Sequence, residues 1–393
     1  MRIVSIEPTP SPHSMKVNLD ERLPDGIRRS FAKKDAERAP EPLNRILEIP
    51  GVAGVFHTAD FLAVDREPKA DWQTVLAAVR EVLGEAESAG KIMPGSAAPA
   101  DPGAGASAAG DGADGGTSFG EFQVLVQKFR GIPLQIRIKS DDREVQRVGM
   151  PQRFVDAAMK AQYGSPNLIA ERKLEEYGVR YGEPAEIAQQ VLEELEAAYD
   201  DGRLQRLVES ALLKDEPETG RGIDEKSLAE ALENPDWRVR YAALERLKPD
   251  PRHLPLIVRA LDDEKFSIRR LATVYLGDIG APDALPYLYR MLKDPSAPVR
   301  RTAGDCLSDI GDPGAIGPMC EALRDPSKIV RWRAARFLYE VGDERALPAL
   351  KAAKDDPEFE IRMQIEYAIA RIEGGEAAAG SVWQQMTQRR RER

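Results

Sequence analysis

From residue 226 the chain repeats its own pattern of hydrophobic and polar positions. Copies beginning at 256, 287, 318 and 349 are 31 residues apart, and a shorter copy, KSLAEALENPDWRVRYAALERLKPD, precedes them. A fixed period of this size predicts stacked helix pairs. Each copy reads as a helix, a D-P type turn, a second helix opening with Val/Ile-Arg, and a glycine stop. Val239, Ile268, Val299, Val330 and Ile361 open the second helices, and Leu247, Leu276, Leu307, Leu338 and Ile369 follow eight positions later. Eight positions are two turns along one face, so these residues predict a core column. Gly280, Gly311 and Gly342 stand where a left-handed residue ends a helix. Glu373 takes that place in the last copy, as suits a terminal cap.

The amino-terminal pattern has a shorter period. RIVSIEP and SMKVNLD alternate as strands around a proline-rich turn in EPTPSPHSMKV, residues 7–17. Leu43, Ile46 and Leu47 have helical spacing until Pro50-Gly51, after which VAGVF and FLAVD alternate as a hairpin. Asp71 reads as the N-cap of a helix with Val75, Val79 and Val82 on one face. Residues 1–90 are thus expected to form a small α+β domain. EFQVLVQKFRG and IPLQIRIKS predict paired strands near 121–140, and RFVDAAMKAQYG predicts a helix from about 152. Pro184 opens another helix, and DGRLQRLVESALL continues as a further one. These elements predict a second α+β domain over 119–215.

The fold class expected is therefore multidomain: two α+β domains followed by an all-α solenoid of five helix pairs over 216–379. Residues 95–118 contain no aromatic and no large aliphatic side chain. Such a stretch cannot offset its ordering entropy, which predicts a flexible linker over 91–118. Residues 380–393 read as a basic tail ending in RRRER.

Charge and cysteine content narrow the function. The 393 residues carry a net charge of −10, which argues against wholesale binding to nucleic acid or an anionic membrane. No window approaches the roughly 20 apolar residues of a membrane span. MRIVSIEPTP lacks the apolar centre of a secretory signal, so a cytoplasmic location is expected. The two cysteines, Cys306 and Cys320, and the three scattered histidines, His13, His57 and His253, give a metal cluster little to draw on. No nucleophile elbow, P-loop, Rossmann glycine pattern or HExxH is present.

Three resemblances add to this reading. The DPxxxVRxxA…IG pattern over about 226–379 resembles the short HEAT-like repeats of bacterial proteins. EPTPSPHSMKV, PLNRILEIPGVAGVF, DFLAVDR and DWQTVLAAVREVL resemble, in order and spacing, the amino-terminal domain of NifU-type iron–sulfur scaffold proteins. That resemblance implies that the prolines form a folded turn, and it makes iron a family-level association. The CxxC-bearing domain that assembles the cluster in that family is missing, so no intrinsic cofactor is expected. Together with VGMPQRFVDAAMKAQYGSPNLIAERKLEEYGVRYGEP, these segments resemble the conserved virulence factor C family of Gram-positive bacteria over nearly the whole chain.

Two sets of columns carry the candidate sites. Asn234, Asp263, Asp294, Asp325 and Asp356 each precede an arginine by six residues: Arg240, Arg269, Arg300, Arg331 and Arg362. They read as a structural ladder, each Asp or Asn capping the second helix and each Arg tying neighbouring turns. Tyr241, Arg270, Arg301, Trp332 and Met363, with Arg336, Tyr339 and Tyr367, lie off the core column. Arg, Trp, Tyr and Met there, in place of Lys, Glu and Gln, suggest a partner-binding groove; packing between repeats is the structural alternative. On the groove reading, replacing Trp332 and Arg301 by alanine would remove binding with little loss of stability. The function expected is a non-enzymatic adaptor that binds protein partners, among them iron–sulfur assembly components. A nucleic-acid-binding HEAT protein and an enzyme with its site in 119–215 are the alternatives.

Overall fold

The computed structural model describes residues 1–9, 13–24, 27–67, 70–84, 121–140, 143–164, 167, 169–213 and 222–375. The tip of the proline turn, the linker 91–118 and the tail 380–393 lie outside the described residues. Among the described residues, 1–84 with 323–375 form one compact unit and 121–322 another. This grouping crosses the boundaries at which the sequence separates α+β domains from repeats.

The first unit opens with strands β1 (Ile3–Pro8), β2 (Ser14–Leu19) and β3 (Arg28–Ala32), helix α1 (Leu43–Glu48), strands β4 (Val52–Thr58) and β5 (Phe61–Arg66), and helix α2 (Trp72–Leu83). The strands make an antiparallel sheet in the order β1-β2-β5-β4-β3. Their inward positions, including Ile3, Val17, Val55, Leu62 and Val64, form one core with Leu43, Ile46, Trp72 and Val79. Asp71 caps α2 by accepting the Thr74 N–H at 2.8 Å. Gly51 is obligatory at its place: φ is +89°, and a Cβ would come 2.6 Å from that of Ala70. β3 is an edge strand with no buried residue, so its hydrophobic pattern carries no signal.

The second unit begins with strands β6 (Glu121–Phe129), β7 (Ile132–Ser140) and β8 (Arg143–Gly149), helix α3 (Gln152–Ala161), strand β9 (Arg172–Tyr181), and helices α4 (Pro184–Ala198) and α5 (Asp201–Leu212). The sheet order is β8-β7-β6-β9, with α3 and α4 packed on β7. Helices α6 (Glu225–Ala231), α7 (Trp237–Glu245), α8 (Leu254–Ala260), α9 (Phe266–Ile279), α10 (Leu285–Met291), α11 (Ala297–Ile310) and α12 (Ile316–Ala322) follow. The repeats' remaining helices, α13 (Lys328–Glu340), α14 (Leu347–Ala352) and α15 (Phe359–Glu373), belong to the first unit.

The core column holds except at its start. Ile268, Val299, Val330 and Ile361 are buried, but Val239 is 42% exposed, because α7 has no earlier repeat to pack against. Gly280 and Gly311 end α9 and α11 in the left-handed conformation. Gly342 departs from the expectation: α13 ends through Val341, and Gly342 has no positive φ. Glycine is needed there because a Cβ would come 2.3 Å from the Leu338 carbonyl oxygen.

Candidate functional site

The column expected to line an open groove is buried against the chain's own α+β domains. In the second unit Tyr241, Arg270 and Arg301 are at most 8% exposed. The side chain facing Tyr241 and Arg270 is Glu194 of α4. Arg270 donates to its two carboxylate oxygens at 3.2 and 3.3 Å, and Arg180 of β9 donates at 3.2 Å. The Tyr177 hydroxyl donates to Glu194 at 3.2 Å and stands 3.5 Å from the Tyr241 hydroxyl. Burial alone would push the Glu194 carboxyl up; Arg270 and Arg180 together hold it below the ordinary glutamate value. Burial drives both tyrosine hydroxyls far above theirs. Arg301 donates to the Tyr181 hydroxyl, stacks over its ring at 4.3 Å and pairs with Asp305 at 3.0 Å. A carboxylate held between two guanidiniums and the Tyr177 phenol is a clamp that ties α4 and β9 to α9.

The same helix face is covered in the first unit. Met363 and Tyr367 of α15 belong to the core of the amino-terminal sheet, with Tyr339 and Phe359 packed against it. The rings of Tyr339 and Tyr367 meet edge to face at 6.3 Å. Trp332 is 3% exposed, and buried Arg336 pairs with Glu340 one turn on at 2.7 Å. Arg66, the last residue of β5, reaches Glu360 at 2.7 Å, the Ala70 carbonyl at 2.8 Å, and the Trp72 ring at 5.2 Å. Burial raises the Glu360 carboxyl above its ordinary value, with Arg66 opposing only part of the shift. The expected solvated groove is therefore corrected. A column read from one helix does not reveal what another stretch of sequence lays over it.

Glu194, Arg180, Arg66 and Glu360 escaped the sequence reading although two signals were present. Glu194 falls in the stripe Ile187, Val191, Leu195, Ala198 that α4 buries. Arg66 completes the inward alternation Leu62, Val64, Arg66. A charge on a buried stripe requires a partner.

The ladder residues have a regular geometry. Arg240 donates to Asp263 at 2.7 and 2.9 Å, Arg269 to Asp294 at 2.7 and 3.0 Å, and Arg331 to Asp356 at 2.7 and 3.3 Å. Each arginine also donates to the carbonyl six residues before it: Arg240 to Asn234, Arg269 to Asp263, Arg300 to Asp294, Arg331 to Asp325, Arg362 to Asp356. The carboxylates do not cap the second helices as expected. The N-caps stand two residues later, at Asp236, Lys265, Ser296, Ser327 and Glu358. The Asp side chains instead accept the N–H of those residues, as Asp263 does from Lys265 at 2.8 Å, closing the turn before the helix.

A cleft opens among the described residues of the second unit. It encloses about 500 Å³ between the α4–α5 connection and α6–α7, with Ile223, Val239 and Ala242 among its apolar residues. Arg153, Arg203 and Arg238 at its wall pair with Asp201, Glu245 and Asp236. Arg246 also lines it, and among the described residues Arg246 has no hydrogen-bond or ion-pair partner.

The residues present do not fit an iron–sulfur cluster. Cys306 donates to the Thr273 carbonyl at 3.6 Å, and burial pushes its thiol far above the ordinary range, whereas a cluster is held by thiolates. No three His, Cys, Asp or Glu side chains among the described residues stand together as metal ligands. His13 and His57 are buried in the sheet domain. Burial, followed by the charge of Arg66, lowers the His13 pKa to about 4; burial and then Arg29 lower that of His57. Among the described residues no helix is long and apolar enough to cross a membrane.

Comparison with known proteins accounts for the three parts. Residues 4–90 match the family described as scaffold protein Nfu/NifU N terminal, 127–208 the family described as virulence factor, and 225–303 and 289–370 HEAT repeats. A solved structure of protein SAV1430 from Staphylococcus aureus is 39% identical over 21% of this chain and 98% of its own, with a TM-score of 0.20. A Bacillus subtilis (strain 168) protein named "Uncharacterized protein YpgR" is 50% identical over 396 residues, 100% of this chain and 99% of its own. The Staphylococcus aureus (strain bovine RF122 / ET3-1) protein named "Conserved virulence factor C" is 45% identical over 391 residues, 99% of this chain and 100% of its own. The chain belongs to the conserved virulence factor C family.

Proposed function

We propose that this protein is a non-enzymatic adaptor of the cytoplasm whose repeat helices carry its two α+β domains and leave their outer surfaces to protein partners. The observation that supports this most is the burial of the second-helix face. Arg270 is clamped on Glu194 of the middle domain, and Met363 and Tyr367 complete the core of the amino-terminal one. A repeat array used in this way holds domains in place, and HEAT repeats serve protein interaction in general. The partners proposed for the NifU-type domain are iron–sulfur assembly components, with no cofactor resident in this chain.

Affinity purification of the intact protein from cell extract, followed by titration of each recovered partner in purified form, tests the reading. Saturable binding without turnover is the expected result. No saturable partner, or chemical conversion of a bound molecule, would overturn it. Anaerobic purification should yield protein without cluster absorbance; a stoichiometric cluster lost on replacing Cys306 would overturn the cofactor part.

A further inference from the structure

Helix α3 buries one side and exposes the other. Phe154, Ala157, Ala158 and Ala161 face inward. The outward side carries two rows at i, i+4 spacing: Val155, Met159 and Tyr163, and beside them Gln152, Asp156 and Lys160. Every one of these is exposed, Met159 by 55% and Tyr163, in the turn that follows the helix, by 84%. Leu212, the last residue of α5, is exposed beside the apolar row. Gly164 brings it there, backing onto α5 so closely that any Cβ would strike the Ala211 carbonyl. Exposed apolar residues scattered singly need no explanation, but a contiguous set marks a contact surface. Both rows lie among the described residues.

The polar row identifies the occupant. Asp156 and Lys160 carry opposite charges one turn apart, yet Asp156 accepts from Gln152 at 2.8 Å and makes no pair with Lys160. The Lys160 ammonium has neither a hydrogen bond nor an ion pair among the described residues. We infer that this protein self-associates through α3, packed antiparallel against α3 of a second copy. A two-fold axis level with residues 157 and 158 would set Asp156 of each copy opposite Lys160 of the other. The same operation sets Val155 against Met159 of the other copy, and Tyr163 against Gln152. A two-fold interface must be self-complementary, and α3 meets that condition in one direction only. Run parallel and in register, two copies would oppose Asp156 to Asp156 and Lys160 to Lys160, which repel. The inference goes beyond the adaptor reading and does not depend on it.

Sedimentation equilibrium of the full chain tests this. Wild type should distribute between one and two chain masses, shifting to the larger as concentration rises. Asp156→Lys and Lys160→Asp, taken singly, bring like charges together at both contacts, and each should weaken self-association by about tenfold or more. An equimolar mixture of these two variants restores attraction at both contacts and should associate at least as tightly as wild type. Met159→Lys should abolish association by placing a charge in the apolar row. All three sites are exposed, so circular dichroism and melting should match wild type. A single chain mass at every concentration, whether the row stays open or is covered by another part of the chain or by a different protein, would overturn the inference. So would association that survives Met159→Lys, or charge variants that fail to restore one another on mixing. Partners recovered by affinity purification would be untouched by that failure, so the adaptor reading would stand.

Discussion

Glu194 and Glu360 are both buried glutamates that join an α+β domain to a repeat helix, but with opposite polarity. In the second unit the domain supplies the carboxylate and the repeats supply Arg270, with Arg180 as a second guanidinium. In the first unit the domain supplies Arg66 and the repeat supplies the carboxylate. Two guanidiniums on Glu194 depress its pKa despite burial, while one on Glu360 leaves burial dominant and the pKa raised. The pairs therefore differ in what they contribute. Glu194 is held as a stabilising anion, whereas Glu360 sits at a seam whose stability comes from Met363, Tyr367 and their apolar neighbours.

The largest expected effect tests whether the apolar seam dominates the first unit. Trp332→Ala removes a large side chain that is 3% exposed, and such truncations cost about 3–5 kcal/mol. Hydrogen exchange followed by mass spectrometry should show faster exchange across α13 and α15. Exchange unchanged from wild type, with partner binding lost, would restore the groove reading that the burial overturns.

Next in size is Glu194→Gln. It leaves Arg180 and Arg270 facing a neutral amide in a buried site, and unbalancing a buried pair costs about 3 kcal/mol or more. Urea unfolding followed at Trp237, near this clamp through its contact with Tyr241, should shift accordingly. A loss below about 1 kcal/mol, the usual worth of an exposed pair, would mean that the clamp is not the main tie.

What was legible in the sequence follows the range of each signal. The repeat columns were legible because their period is local: Ile268, Val299 and Val330 are buried where the spacing places them. β8 and β9 were missed because, as edge strands, they have largely exposed residues and no apolar alternation. The covered face was missed because Glu194 and Arg270 are 76 residues apart, and neither stretch alone tells that the other neutralises it. The misplaced charges on the buried stripe of α4 and at the inward end of β5 pointed that way. Tyr241 and Met363, read as partner contacts, are ordinary interior residues once the domains are in place.

The pH profile separates the two units further. His13 is buried and its pKa falls from 6.5 to about 4. A histidine depressed on folding binds fewer protons folded than unfolded, so its contribution is full above pH 6.5 and is lost as pH falls toward 4. A shift of this size corresponds to roughly 3 kcal/mol at most, and His57 acts in the same direction. Glu194 has its depression below its ordinary value of 4.5, so its contribution persists through this window. Between pH 6.5 and 4.5, hydrogen exchange should quicken in the amino-terminal sheet and not at β9 or α9. Equal quickening in both units would show that their stabilities are coupled or that His13 is not the titrating group. His13→Leu should flatten the profile of the first unit alone.

The smallest expected effect is the sharpest test of the comparison, because the same substitution should act differently at the two glutamates. Glu360 has a raised folded pKa, so its protonated form suits the fold better than its anion does. The stability held by that protonated form is present at low pH and is lost as pH rises through the folded pKa. Glutamine copies the protonated shape and still offers an oxygen to Arg66, which also keeps the Ala70 carbonyl and the Trp72 ring. Glu360→Gln should therefore change stability at pH 7 by less than about 1 kcal/mol, toward stabilisation. At pH 4 the two proteins should converge, since wild-type Glu360 is then largely neutral. Glu194→Gln should behave in the opposite manner, keeping its full penalty down to pH 4.5 and losing it only below. A Glu360→Gln loss as large as that of Glu194→Gln would mean that the Arg66 pair outweighs burial, and the contrast between the two seams would disappear.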